Sequence, residues 1–86
     1  MHMPNPPVLV YGTSWCPDCL RVRRFLDANK VLYVWIDIDG DQQGREKVML
    51  LNNGYKSVPT LVFADGSHLT EPTISELKLK IGSGNH

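Results

Sequence analysis

Val8-Leu9-Val10-Tyr11-Gly12-Thr13-Ser14-Trp15-Cys16-Pro17-Asp18-Cys19 changes character twice along its length, and those two changes decide the fold. Val8 to Gly12 is a short continuous apolar run, which suits a strand buried on both faces. A polar turn follows, and from Cys16 the apolar period becomes helical. Cys19, Val22, Phe25 and Leu26 then fall on one side, and Arg21, Arg24 and Asp27 on the other. Pro17 stands in the first turn, where its missing N–H costs nothing. A helix over 16–29 is expected, with one cysteine at its mouth and a second one turn further in.

The rest of the chain extends this strand–turn–helix start. Segment 32–38 is strand-like, with Val34, Ile36 and Ile38 alternating against Tyr33, Trp35 and Asp37. Asp39-Gly40-Asp41 is a turn able to cap a second helix, running to about Asn52 and stopped by Asn53-Gly54. Gly44 and a poorly segregated apolar face count against that helix. Leu61-Val62-Phe63-Ala64 is another apolar strand, Asp65-Gly66 a hairpin turn and His68-Leu69-Thr70 the return strand. Thr73-Ile74-Ser75-Glu76 is a capping box opening a last helix, with Ile74, Leu77 and Ile81 facing inward. The order β-α-β-α-β-β-α demands a right-handed parallel crossover followed by an antiparallel hairpin. The expected fold class is α/β: a mixed four-stranded sheet with helices on both faces, the plan of the thioredoxin fold.

Composition narrows the possibilities. The 86 residues fit one domain, 1–86, with 1–7 an extended lead-in and 82–86 a flexible tail. Nine basic and nine acidic residues give a formal net charge of zero, which offers no electrostatic case for nucleic acid or an anionic membrane. No apolar run is long enough to cross a bilayer. The start has no apolar core or basic flank and does not read as a signal peptide. A cytoplasmic monomer is expected, and in that compartment a cysteine pair reads as reactive rather than structural.

The two cysteines are not equivalent. The reactive species is the thiolate, and the unpaired N–H groups at a helix N-terminus favour an anion at Cys16. Cys19 faces the core one turn later. Cys16 is therefore expected to be the exposed nucleophile and Cys19 the resolving thiol, the two cycling through a redox-active disulfide. Asp18 places a second negative charge beside the first. A zinc site would need further ligands, yet there is no second cysteine pair, and His2, His68 and His86 lack ligand spacing. A purely structural disulfide across so short a loop would add little stability. No metal is expected. Trp15 reads as an exposed platform, Tyr11, Trp35 and Phe63 as packing, and Arg45, Glu46 and Lys47 as a solvated face. Pro59 reads as a strand-entry proline.

Taken together, the first strand, Cys16-Pro17-Asp18-Cys19, Ser57-Val58-Pro59-Thr60 and Phe63-Ala64-Asp65-Gly66-Ser67-His68-Leu69 resemble the glutaredoxins over nearly the whole chain. The resemblance implies a dithiol thiol–disulfide oxidoreductase with no bound cofactor and a low-molecular-weight thiol, mycothiol or glutathione, as co-substrate. It also implies a cis proline at Pro59, whose neighbour Val58 would pair its backbone with an extended thiol substrate. The implied thiol groove comprises Trp15, Pro17, Val58, Pro59, Thr70 and Glu71. The family usually reads Gly-Gly-x-Asp after the hairpin, and its acid receives the amino group of glutathione. Here Thr70-Glu71-Pro72-Thr73 has no acid at the last position and a negative charge at the second. Thr13-Ser14-Trp15-Cys16 and Ala64-Asp65-Gly66-Ser67 look closer to the mycoredoxins, whose thiol lacks the γ-glutamyl group. Mycoredoxins usually carry glycine and an aromatic between the cysteines, where this chain has Pro17 and Asp18.

Three functions follow from the resemblance. The first is reduction of mixed disulfides on proteins or small thiols, with mycothiol favoured over glutathione. The second is a thioredoxin-like electron carrier, fed by a flavin-dependent disulfide reductase and serving an acceptor such as ribonucleotide reductase. The third is an iron–sulfur binding module, which Cys19 and Pro17 argue against.

Overall fold

The computed structural model describes residues 7–82, so most of the expected lead-in and tail lies outside the described residues. Seven elements follow the expected order: β1 (Val8–Gly12), α1 (Pro17–Ala28), β2 (Tyr33–Asp37), α2 (Gln42–Leu51), β3 (Thr60–Val62), β4 (His68–Thr70) and α3 (Ile74–Ile81). They form a mixed sheet ordered β2-β1-β3-β4. β1 pairs in parallel with β2 and antiparallel with β3, so that Tyr11 stands between Ile36 and Thr60. β3 and β4 complete the sheet as an antiparallel pair.

Alternation along β1 divides the core in two, because successive side chains point to opposite faces. Val8 and Val10 join Leu61 on one face, under Val22 and Leu26 of α1 and Leu77 of α3. Leu9 and Tyr11 lie on the other face, with Ile36, Val62 and Val48 of α2. Helices therefore cover both faces. Each fully buried Val or Leu contributes roughly 1.5–3 kcal/mol, and this double layer fixes where β1 ends and α1 begins.

Local chemistry sets the ends of the elements. Asp41 Oδ1 accepts the Gly44 N–H at 2.9 Å and caps α2. Beyond it, Asn53 and Gly54 take positive φ values of 56° and 92° and turn the chain away. The Thr73–Glu76 capping box forms in both directions. Among the described residues no helix is long and apolar enough to cross a membrane.

Three expectations are corrected. The hairpin link is longer than the two-residue Asp65-Gly66 turn, and Phe63 and Ala64 fall outside β3. Phe63 O instead accepts the Gly66 N–H at 2.9 Å, while Asp65 Oδ1 accepts the Ser67 N–H, so the turn closes one residue wider. Arg45 is not part of a solvated face: its guanidinium donates to Ile38 O at 2.7 Å. Gly44 does not keep α2 from forming; the packing of the helix requires it. A Cβ there would lie 2.8 Å from Ile36 Cγ2, so glycine is what lets the helix press onto the sheet.

Candidate active site

The site forms where β1 runs into α1. Cys16 is the N-cap of α1, with extended backbone, and Pro17 occupies the first turn. Cys16 Sγ accepts the Cys19 N–H at 3.2 Å. A sulfur thus takes the place that a serine or aspartate oxygen usually holds, and one of the orphan N–H groups of the helix is spent on it. Both cysteines are free thiols. Cys16 is 9% exposed and Cys19 1%. Cys19 is the more buried of the two, as expected, but Cys16 is far more shielded than the exposed nucleophile read from its turn position.

Burial pushes the Cys19 thiol up to about 12, helped by its hydrogen bond to Cys16 and the nearby charges of Cys16 and Asp18. The Thr13 N–H, directed at the sulfur, opposes this. Asp18, read as a second negative charge beside Cys16, is exposed and paired. Its carboxylate accepts from Arg21 at 3.0 Å on the exposed side of the helix.

Sequence reading missed several parts of this site. A Cβ on Gly12 would lie 2.6 Å from both Cys19 Sγ and the Trp35 ring, so only glycine ends β1 beside the second thiol. A groove of about 290 Å³ opens next to the sulfurs on the β2 side, with Trp15, Pro17, Leu20 and Arg23 along its walls and Trp35 beneath. Trp15 is 70% exposed, the platform expected of it, and its Nε1–H donates to Asp39 Oδ2 at 3.0 Å. The Arg23 guanidinium lies 4.3 Å over the Trp35 ring. A helical arginine aligned with a strand tryptophan carries no signal in one dimension.

The remaining expected groove residues lie on the β3 side. The Val58–Pro59 peptide bond is cis, as the resemblance implied. Since Thr60 pairs with Tyr11, this turn lies beside the end of β1. Glu71 donates its N–H to Pro59 O at 2.7 Å, which brings the turn after β4 to the same edge. Asn52 clasps the assembly: its Nδ2 donates to Val48 O and Thr60 Oγ1, and its Oδ1 accepts from Thr70 Oγ1 at 2.6 Å. The Thr70 hydroxyl, expected in the thiol groove, is thereby engaged within the fold. Trp15 and Pro17 thus stand on one side of the cysteines, and Val58, Pro59, Thr70 and Glu71 on the other. Among the described residues, no three His, Cys, Asp or Glu side chains gather as a metal site would require.

Comparison with known proteins agrees with this geometry. The glutaredoxin family model matches residues 8–69. A glutaredoxin of Mycobacterium tuberculosis is 44% identical over 72 residues, covering 84% of this chain and 86% of its own. Mycoredoxin 1 of Corynebacterium glutamicum is 39% identical over 74 residues, covering 86% and 91%. The crystal structure of a glutaredoxin from Archaeoglobus fulgidus superposes with a TM-score of 0.73 at 34% identity, covering 86% of this chain and 84% of that one. With the family model spanning both cysteines, the cis-proline turn and the hairpin, the chain belongs to the glutaredoxin family of thiol–disulfide oxidoreductases.

Proposed function

We propose that Cys16 is the nucleophile and Cys19 the resolving thiol of a dithiol cycle that is reduced by mycothiol rather than by glutathione. The observation that carries the assignment is the asymmetry of the pair. Cys16 Sγ already accepts a backbone N–H, an arrangement that stabilises a thiolate, whereas Cys19 is buried and held as a thiol. Cys16 attacks a disulfide and forms a mixed disulfide. Cys19 then displaces the bound thiol, and the new Cys16–Cys19 disulfide is reduced in turn by the low-molecular-weight thiol or by a flavin-dependent reductase. No bound cofactor is required. Protein disulfides in the cytoplasm are the substrates, with Trp15 and Pro17 on one flank and Val58, Pro59, Thr70 and Glu71 on the other.

The preference for mycothiol rests on the segment after β4. Thr73, where the family's ammonium-binding acid would stand, is committed to the capping box through both its hydroxyl and its N–H. Glu71 adds a carboxylate at the cis-proline edge, which is unfavourable for a tripeptide carrying two carboxylates of its own. Similarity to Mycoredoxin 1 points the same way. Coupled NADPH assays with the mycothiol and glutathione systems, run side by side on one disulfide substrate, are the test. Faster turnover with glutathione would overturn the thiol assignment and leave the dithiol cycle standing.

A further inference from the structure

Arg23 is a cation that the cycle above leaves without a task, and it stands on the groove beside the thiols. Four residues beyond Cys19 on α1, it shares the helix face of that thiol. The groove of about 290 Å³ is walled by Trp15, Pro17 and Leu20 as well as by Arg23, with Trp35 beneath. Trp15 and Leu20 are both exposed, so much of this wall is apolar surface open to solvent. Arg23 itself is half-buried, and its guanidinium is held 4.3 Å over the Trp35 ring. Its Nε donates to Tyr33 Oη at 3.5 Å, a long contact. Its two terminal amino groups have no partner among the described residues. The ion pairs among those residues join Arg21 to Asp18 and Lys80 to Asp65, so no carboxylate answers this charge. A guanidinium stacked on a ring keeps its in-plane N–H donors for a carboxylate, and being already held it loses little freedom on binding one.

We propose that this groove seats the polypeptide arm of a disulfide substrate, and that Arg23 selects arms carrying a carboxylate about three residues from the reacting cysteine. This rests on the proposed role of Cys16 as nucleophile and on the small thiol lying at the cis-proline flank. A mixed disulfide has two arms, and with one on that flank the other is left with the α1–β2 side. Arg23 comes seven residues after Cys16, about 10 Å along the helix axis. An extended peptide covers that distance in about three residues. Leu20, between them on the helix, and the Trp15 ring offer apolar surface to the residues spanned. The Trp15 ring is steadied by its hydrogen bond to Asp39, which also puts a carboxylate at that end. The groove thus runs from negative at Trp15 to positive at Arg23, and an acidic group fits only the second end. The chain as a whole is neutral, so this local charge makes the selection.

The test follows the reduced full chain against synthetic peptides whose single cysteine is joined to a coloured aromatic thiol. The Cys16 thiolate attacks the peptide sulfur, the bond from that sulfur to the aromatic sulfur breaks, and the aromatic thiolate leaves with its colour. The aromatic arm departs because its thiol is the more acidic of the two. The peptides differ only in carrying Glu, Gln or Lys at the third residue from the cysteine, before it in one set and after it in another. At low ionic strength the wild-type rate constant should be about fivefold higher for Glu than for Gln in one of the sets, and lowest for Lys. Moving the Glu to the sixth residue should remove the gain. In Arg23→Gln the Glu-to-Gln ratio should fall to one, and in Arg23→Glu the Lys peptide should become the fastest. Each ratio is taken within one protein, so any general effect of the substitution on Cys16 or on packing cancels. A wild-type ratio of one in both sets, or an undiminished ratio in Arg23→Gln, would overturn the proposal. If Glu71→Gln altered the ratio and Arg23→Gln did not, the peptide would lie on the cis-proline flank and this seat would be wrong. Cys16→Ser should release no colour from any peptide. Colour released through Cys19 would bring down the assignment of roles, whereas the ratios alone bring down only the seat of the peptide.

Discussion

Cys19 shows how one side chain's surroundings set its chemistry. Its sequence position gave the inward orientation, because a residue three after the helix mouth faces the core. The depth of burial came from Gly12, a partner that no helical periodicity could reveal. We expect Cys16→Ser to abolish disulfide reduction, since the remaining thiol, Cys19, is buried and holds its proton. Cys19→Ser should retain the first step and accumulate a mixed disulfide visible as a mass adduct on Cys16. Faster alkylation of Cys19 than of Cys16 at neutral pH would reverse the two roles. The elevated Cys19 also makes a stability prediction. Between its ordinary value of 9.0 and about 12, the unfolded chain has lost a proton that the folded chain keeps. The folded state then binds more protons, so stability is full below that window and falls as pH rises through it. Cys19→Ala loses packing by an amount that does not depend on pH. The lead of reduced wild type over Cys19→Ala in urea midpoint should therefore shrink as the solution is made alkaline. A lead that stayed constant from neutral pH upward would show that Cys19 does not hold its proton in the fold.

At the level of elements, α2 is the instructive one, because its sequence argued against it and its packing required it. Gly44 is a poor helix residue, about 1 kcal/mol worse than alanine in a helix interior. Propensity alone thus predicts that Gly44→Ala is stabilising. A Cβ at that position, however, would lie 2.8 Å from Ile36 Cγ2 and 3.5 Å from Tyr11 Cδ1. Ile36 is β-branched and paired in a strand, so its methyl cannot swing away cheaply. Overpacking of this kind costs about 1–3 kcal/mol. We expect it to win, giving a lower urea midpoint and unchanged chemistry at Cys16 toward a small disulfide. A higher midpoint would mean that α2 can slide without loss. Elements whose evidence is local were readable in the chain: β1 by its apolar run, α1 by period and Pro17, and α3 by its capping box. The hairpin was placed correctly but drawn too tight, since Phe63 looks like strand and serves the turn. Asn52 looked like a helix terminus, which it is, while its clasp on Thr60 and Thr70 depends on residues eight and eighteen positions away.

For the whole molecule, topology was legible because handedness and strand–helix alternation leave few arrangements open. What a linear reading cannot supply is which surface each side of the site presents. The chain is neutral overall, with nine charges of each sign, so long-range steering is weak and local charge decides which disulfides approach. Around the cysteines most charges are paired or stacked: Asp18 with Arg21, and Arg23 on Trp35. Glu71 differs. It is exposed on the turn after β4, at φ 49°, a left-handed conformation that is unfavourable for a residue with a Cβ and is held by its N–H bond to Pro59 O. In the proposed groove a bound thiol would cross the cis-proline turn beside Glu71, and an anionic thiol would meet a like charge there. In water, two like charges about 4 Å apart repel by about 1 kcal/mol, and salt screens this further. Glu71→Gln should therefore raise kcat/KM for glutathione mixed disulfides several-fold at low ionic strength. The gain should fade as salt is added, and mycothiol mixed disulfides should react as before. The uncharged substrate separates the two explanations open to any gain. If both classes sped up equally in Glu71→Gln, the cause would be a change common to all substrates, and the carboxylate would play no part in choosing the thiol.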